Sequence, residues 1–429
     1  MTNLTSNAYN FSDFINSGVD NRTGSYSAQI KLLSIIGNRL NGPYFDLTVG
    51  YNINNFTDVG FGRGWSLPLS SFDNVNSVLS LRNGQSFKIE WDSTENEYVA
   101  PYRKLKDVRI YYVSTPGTEQ GEIKVINSSG EIEFIDWKEG TLSRLYSAKG
   151  HQLRFLYTNY NFQRTLYKVE DSFGLSINID TWSDEWLTKI SLYNKSSLLK
   201  SSTIRKKSGG EFKRLAYATL PNREELYFQF EYSWFNEVGM DLLLKTTYPA
   251  GYSEEVTYYE RGFLMPDGAP TKYVPQVTKM IVSQGSALPI RTHTYTYSDK
   301  NYLGFASDRA YIAGEDTLFK AAQDYKYSAI ETIDNEIEIQ KIYTKYHLVE
   351  QERYLSKGVL YQEVNYEYYA NNAVGIEYQL PQYTFLKKKD VSFFNASSTS
   401  KILEFYQFDQ WGNNIAVSYT HLTLPTMEL

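Results

Sequence analysis

Apolar and polar residues alternate at every second position through most of this chain, and short glycine- or asparagine-bearing breaks interrupt them, a pattern that restricts it to a sheet-built fold. Tyr26, Ala28, Ile30 and Leu32 alternate with Ser27, Gln29, Lys31 and Leu33. After the turn-forming Asn41, Gly42 and Pro43, the residues Phe45, Leu47, Val49 and Tyr51 repeat the pattern. It returns at Leu226, Phe228, Phe230 and Tyr232, and at His293, Tyr295 and Tyr297. With 38 Tyr, 23 Phe and 7 Trp, the apolar area is carried by aromatics, which favour strands and pack as cross-strand pairs. An all-β fold with an extensive, mainly antiparallel sheet follows.

The turns set the expected hairpins. Asn83-Gly84 reads as a type I′ turn between residues 78–81 and 87–91, with Phe87, Ile89 and Trp91 on one buried face. A second hairpin turns at Asn127 to Gly130; Ile123 and Val125 face the core from one strand, Ile132 and Phe134 from the other, with Glu131 and Glu133 outside. A turn–glycine–strand phrase then recurs at Gly150 and at Gly174, about 24 residues on, within the span of a repeated supersecondary unit. Worn copies surround Gly251, Gly358 and Gly412. Glycine supplies the positive φ of such a turn, and each hairpin needs a neighbour to cover its apolar face. Helix is expected only at residues 12–17 and 316–325, and a long loop or seam at 260–270, where glycine and proline cluster.

A net charge of −6 and a pI near 5.5 give no general attraction to nucleic acid or anionic lipid. The basic clusters Arg205-Lys206-Lys207 and Lys387-Lys388-Lys389 read as solvated turns. The absence of cysteine rules out disulfides and fits a reducing cytoplasm. No secretory signal and no apolar run of about 18 residues is present, so no membrane span is expected and export requires another route.

Catalytic signals are sparse. Gly60, Gly62 and Gly64 before Trp65 resemble a phosphate loop in composition only, because Pro68 follows and no helical periodicity comes after Trp65. The structural reading is preferred: glycines that let backbone pass close to backbone before Trp65 enters a core. His151, His293, His347 and His421 form no paired zinc motif. The pair His347 and Glu350 has helical spacing but strand-like flanks. No cysteine nucleophile or serine elbow exists, and Asp171, Glu231 and Glu338 read as solvated strand carboxylates. No catalytic, cofactor-binding or metal-binding residue is assigned, and the chain is not expected to be an enzyme.

Residues 18–72 carry a family resemblance. They open on Gly18-Val19-Asp20-Asn21-Arg22-Thr23-Gly24-Ser25-Tyr26 and close on Asp58-Val59-Gly60-Phe61-Gly62-Arg63-Gly64-Trp65. Together with Tyr406-Gln407-Phe408-Asp409-Gln410-Trp411-Gly412-Asn413, which is similar to a YD signature, the chain resembles the N-terminal part of an RHS/YD-repeat shell protein. That family is related to the shell components of bacterial toxin complexes.

The resemblance implies repeated hairpins curling into a hollow shell, here incomplete. It implies a lead-in at 1–17, an RHS-associated β region at 18–146, degenerate YD-like repeats at 147–417 and a tail at 418–429. The tail abandons the alternation and resembles translated adapter read-through. The implied role is encapsulation in toxin delivery, virulence or bacterial competition. The partners would be a C-terminal toxin cargo of the same polypeptide and a β-rich companion that completes the shell. The protein would be made in the cytoplasm and secreted without an N-terminal signal. The self-cleavage phrase of such shells is absent from the sequence. Two other readings are an aromatic-rich carbohydrate-binding adhesin and a polysaccharide-active enzyme.

Overall fold

The computed structural model describes residue 6 and residues 17–114, 121–160, 162–237, 239–285, 288–395, 398–409 and 411–424, with nothing stated for the side chains of 421–424. Residues 12–16 of the expected first helix lie outside this set. Among the described residues the chain is nearly all β. A sheet of 24 strands, antiparallel throughout, runs in sequence order from Glu90–Asp92 to Asn414–Leu424. The strand order returns its last member toward its first, yet no ladder hydrogen bonds join them among the described residues, so the sheet is open.

Two smaller sheets precede this wall. One contains Ser17–Asp20, Ser25–Ile36, Tyr44–Tyr51 and Trp65–Ser66; the other contains Ser71–Asp73, Val78–Ser80 and Ser86–Lys88. The expected alternation holds: Tyr26, Ala28, Ile30 and Leu32 are buried, as are Phe45, Leu47, Val49 and Tyr51. These residues share one hydrophobic core with wall residues from Ile110 to Tyr295. Ser25–Ile36 touches five wall strands between Leu175 and Ser283, so the N-terminal sheet is a lining across the wall's inner face.

Cover from this lining fades along the chain. In Gly121–Asn127 alternate residues are buried, whereas no residue of Thr399–Phe408 is buried. The final strand, Asn414–Leu424, enters the segment 418–429 set apart in the sequence; its residues 414–420 are exposed on both faces.

Three of the five expected copies of the phrase, those at Gly150, Gly251 and Gly412, take one turn geometry, which three other hairpins share. At 81–85, 127–131, 147–151, 248–252, 344–348 and 409–413 the first N–H donates to the fifth carbonyl, and the fourth N–H donates back to the first carbonyl, at 2.7–3.2 Å. The fourth residue has positive φ in each, supplied by Gly84, Gly130, Gly150, Gly251, His347 and Gly412. This is a three-residue loop ending in a left-handed bulge. Asn83 does not have positive φ, so the expected type I′ turn at Asn83-Gly84 is corrected to this form. Gly358 departs in the other direction: Lys357 and Gly358 both have positive φ and form a two-residue turn between Ser356 and Val359.

Turn geometry also overrode two face assignments. Closing the loop from Asn127 to Glu131 sets Val125 opposite Glu133 and Ile123 opposite Ile135. Glu133 and Ile135 therefore point into the core and Ile132 and Phe134 do not, reversing the expected face. Arg82 makes the burial of Glu133 tolerable, donating from Nε at 3.0 Å. In the first hairpin the strand ends at Lys88; Phe87 and Ile89 are buried, but Trp91 passes to the wall, lies exposed and packs edge-on to Tyr98.

Three other expectations are corrected. Residues 316–325 form turns rather than a helix, because Asp316 and Tyr325 bond the irregular backbone; Leu318, Ala321 and Tyr325 are nonetheless buried. The strand Ser253–Leu264 continues through Gly262 by way of a bulge, which shortens the loop expected at 260–270. Both basic clusters lie in strands. Lys206 is buried with its Nζ 3.2 Å from the Gly60 carbonyl, and Lys387 pairs with Glu367 at 2.7 Å.

Candidate functional site

The lining is fastened to the wall at the glycine trio. Asp58 accepts the N–H groups of Gly60 and Gly62 at 2.8 and 2.9 Å, so its carboxylate occupies the anion position that a phosphate would need. A Cβ on Gly62 would lie 2.5 Å from the backbone nitrogen of Leu215, and one on Gly60 would lie 2.4 Å from Thr181 Cγ2. Both have positive φ. Close backbone approach, expected from the sequence, is what these glycines permit.

Next to them, fully buried Trp65 packs edge-on to Phe230 at 4.7 Å and donates from Nε1 to the Tyr232 hydroxyl at 2.8 Å. Below it, Arg214 and Asp241 form a buried ion pair at 2.7 Å. Burial raises the Asp241 carboxyl, with Arg214 opposing that rise. Tyr51 completes the joint, donating to the Asp241 carbonyl and accepting from Leu243 N–H at 3.0 Å. These contacts bind parts distant in sequence; they are structural.

Where the lining thins, a cavity of about 370 Å³ opens between Ser17–Asp20 and the wall. Tyr295, Glu331, Lys341, Tyr343 and Glu352 border it from the wall side. The strand registers place them together: Tyr295 is opposite Glu331, Ala329 opposite Lys341, and Lys341 opposite Glu352, all on the face that meets the lining. Asn21 reaches from the lining to Glu331 at 2.9 Å, and Arg22 stacks over the Tyr343 ring.

This face repeats one chemical theme. Glu254 accepts from Tyr26 at 2.8 Å, Tyr252 at 2.6 Å and Ser17 at 2.9 Å. Glu352 accepts from Tyr366 at 2.8 Å and Tyr354 at 3.1 Å, and pairs with Lys341 at 2.9 Å. Glu404 accepts from Tyr406. Burial alone would raise the Glu331 carboxyl, but hydrogen bonds from His293 and Asn21 hold it below the ordinary carboxylate range. Burial of Glu352 is likewise outweighed by Lys341 and the two tyrosines. Burial, then the Glu352 charge, pushes the Tyr354 hydroxyl up to about 12. At neutral pH Glu331 and Glu352 are therefore anions that accept from the groups around them, and the hydrogen bonds of this polar surface are largely internal.

The sequence reading missed this network, although part of it was legible. Tyr252 and Glu254, Glu352 and Tyr354, and Glu404 and Tyr406 are each two apart, and in a strand that spacing puts both side chains on one face. Cross-strand partners such as Lys341 required the register. Of the histidines, His293 Nδ1 lies 2.8 Å from Glu331 on this face, and His347 is buried against Tyr327 and Asp316 at 2.9 Å each. Glu350 turns instead to Lys326, so His347 and Glu350 do not converge. His151 is half-buried, and the His421 side chain lies outside the described residues. Asp171, read as a solvated strand carboxylate, is instead buried at a turn where it binds the N–H groups of Phe173, Leu175 and Asn38; Glu231 is exposed, and Glu338 accepts from Gln340. Among the described residues no group of three His, Asp or Glu side chains is arranged to hold a metal ion, and no helix is long and apolar enough to cross a membrane.

No protein-family model matches the chain, and no curated protein matches it. Solved structures similar to it include a porin-like protein from Bacteroides uniformis, with 8% identity over 75% of this chain and 98% of that one, at a TM-score of 0.21. Another is the toxin-complex structure TcdB2-TccC3-TEV, at 10% identity over 73% of this chain and 23% of that one, with a TM-score of 0.13. TcdB2-TccC3 without its hypervariable C-terminal region gives 9%, 73%, 22% and 0.14. The chain thus spans less than a quarter of the toxin-complex chains it is similar to. At these TM-scores the likenesses carry no argument about function.

Proposed function

We propose that this chain is a wall segment of an RHS/toxin-complex-type shell that encloses a C-terminal toxic polypeptide. Its role in this reading is structural, without catalysis of its own. In this reading the protein is made in the bacterial cytoplasm and exported, and a β-rich companion completes the enclosure. One observation supports this most: the open 24-strand wall is lined by the N-terminal sheet over its earlier strands only. Over the later strands it turns a tyrosine–carboxylate surface to the inside. The hydrogen bonds of this surface are made within the wall, which leaves few free polar groups to grip a captive chain.

Protease protection tests the reading. The full-length coding sequence is expressed and digested under native conditions. The polypeptide beyond the wall is expected to survive while the wall is intact and to be cut once the wall is denatured. Immediate cleavage of that polypeptide with the wall intact overturns the proposal.

A second reading, glycan binding, is favoured by the exposed Trp182, Trp186, Trp234 and Trp411, which lie at or beside loops on the same end of the sheet. Saturable binding on a glycan array, lost on replacing these tryptophans, supports it; silence removes it.

A further inference from the structure

The irregular segment 298–325 crosses from the wall to the N-terminal hairpins at the place where the ends of the open sheet approach each other. Two consecutive carboxylates in it face opposite ways. Asp316 turns to the wall, 2.9 Å from Nε2 of His347, and both side chains are essentially inaccessible to water. Glu315 turns to the N-terminal hairpins, 3.0 Å from Lys88 Nζ, and is also held by Lys320 at 2.6 Å.

Apart from Ser6, whose hydroxyl donates to Asp316 at 3.1 Å and to the Tyr302 carbonyl at 3.3 Å on the buried side, the other contacts divide in the same way. On the wall side, buried Lys345 donates to the Ala321 carbonyl at 2.7 Å, Ile376 N–H donates to the Phe319 carbonyl at 3.0 Å, and Asn301 donates to the Leu264 carbonyl at 2.9 Å. On the N-terminal side, the contacts are Lys88 with Glu315, Lys320 over the Tyr102 ring at 5.5 Å, and the ring contact of Phe319 with Tyr102 at 6.5 Å. Beside the segment, Lys104 reaches the Glu377 carbonyl at 3.1 Å and Tyr383 reaches the Tyr102 carbonyl at 3.2 Å. Lys88 and Lys320 remain 27% and 34% exposed, against 11% for Glu315, so the pairs are open to water from the lysine side.

Buried, hydrogen-bonded pairs are costly to break, and partly exposed ion pairs are weak. The wall side therefore holds when the N-terminal side gives way. We propose that the wall opens along this seam, with residues 298–325 a strap that stays on the wall and releases the N-terminal edge at Glu315 and Lys88. The inference rests on the wall reading only for its purpose, since the seam is a property of the sheet whether or not a cargo is enclosed.

Hydrogen–deuterium exchange of the full chain tests it. Glu315→Gln and Lys88→Met are each expected to speed exchange in segments 97–107 and 376–385 by roughly two- to fivefold. Exchange in Ser197–Ser208 and Lys213–Leu220 should stay unchanged. Glu237→Gln, which removes only the exposed pair with Arg261, should leave all four segments unchanged. In the unsubstituted chain, added salt should speed the same two seam segments selectively. Unchanged exchange at the seam, or equal acceleration at the seam and in the anchored strands, overturns the proposal. Loss of cargo protection with selective seam opening intact would count against the wall reading and leave the seam standing.

Discussion

The indole nitrogen of Trp65 donates to the hydroxyl of Tyr232 at 2.8 Å, and this bond joins the N-terminal lining to the wall across most of the first half of the chain. Trp65→Ala removes that bond and opens a cavity against Phe230, with an expected cost of about 3–5 kcal/mol. Trp65→Phe keeps most of the packing and leaves the Tyr232 hydroxyl without this donor, at about 1–2 kcal/mol. Denaturant melts of the two variants check both the order and the gap.

Gly62 and Gly150 both have positive φ, but only Gly62 is pressed against backbone. Gly150→Ala is expected to cost about 1–2 kcal/mol from conformation alone. Gly62→Ala adds the clash with Leu215 and should reach about 2–5 kcal/mol. Equal costs, measured by chemical denaturation, would remove the close-packing account of the trio.

How much of this was readable in the sequence depends on whether the deciding force was local. Tyr26, Ala28, Ile30 and Leu32 pointed inward as their alternation required, and the structural reading of Gly60 to Gly64 follows from the same local logic. Glu133 did not follow its pattern, because the 127–131 turn set the register and Arg82, distant in sequence, paid for the buried charge. Asp58 as the internal anion and Lys341 opposite Glu352 depended on contacts that only the folded sheet creates.

His347 takes the left-handed position that glycine fills in the related turns. His347→Gly would relieve about 1–2 kcal/mol of backbone strain. It would also empty the buried imidazole site and remove its hydrogen bonds to Asp316 and Tyr327, a loss of about 3–5 kcal/mol. Net destabilisation is expected despite the easier turn. A thermal melt that rises for this variant would contradict the assigned role of the Asp316 contact.

The carboxyls of Glu331 and Glu352 are held below their ordinary values in the folded chain. Their stabilisation is therefore present above an unfolded pKa of about 4.3 and is lost as pH falls through the lower folded values. Glu331→Gln should flatten the acid limb of the stability curve below that pH. Melts across the acid range check it; an acid limb as steep as that of the unsubstituted chain would show that Glu331 contributes none of it.

Electron microscopy of the full-length product of the coding sequence decides whether this sheet is the wall of an enclosure. A hollow body is expected, with the face bearing Glu331, Glu352 and Tyr366 turned toward the enclosed space. A compact solid particle, or a body in which that face is turned outward, would contradict it.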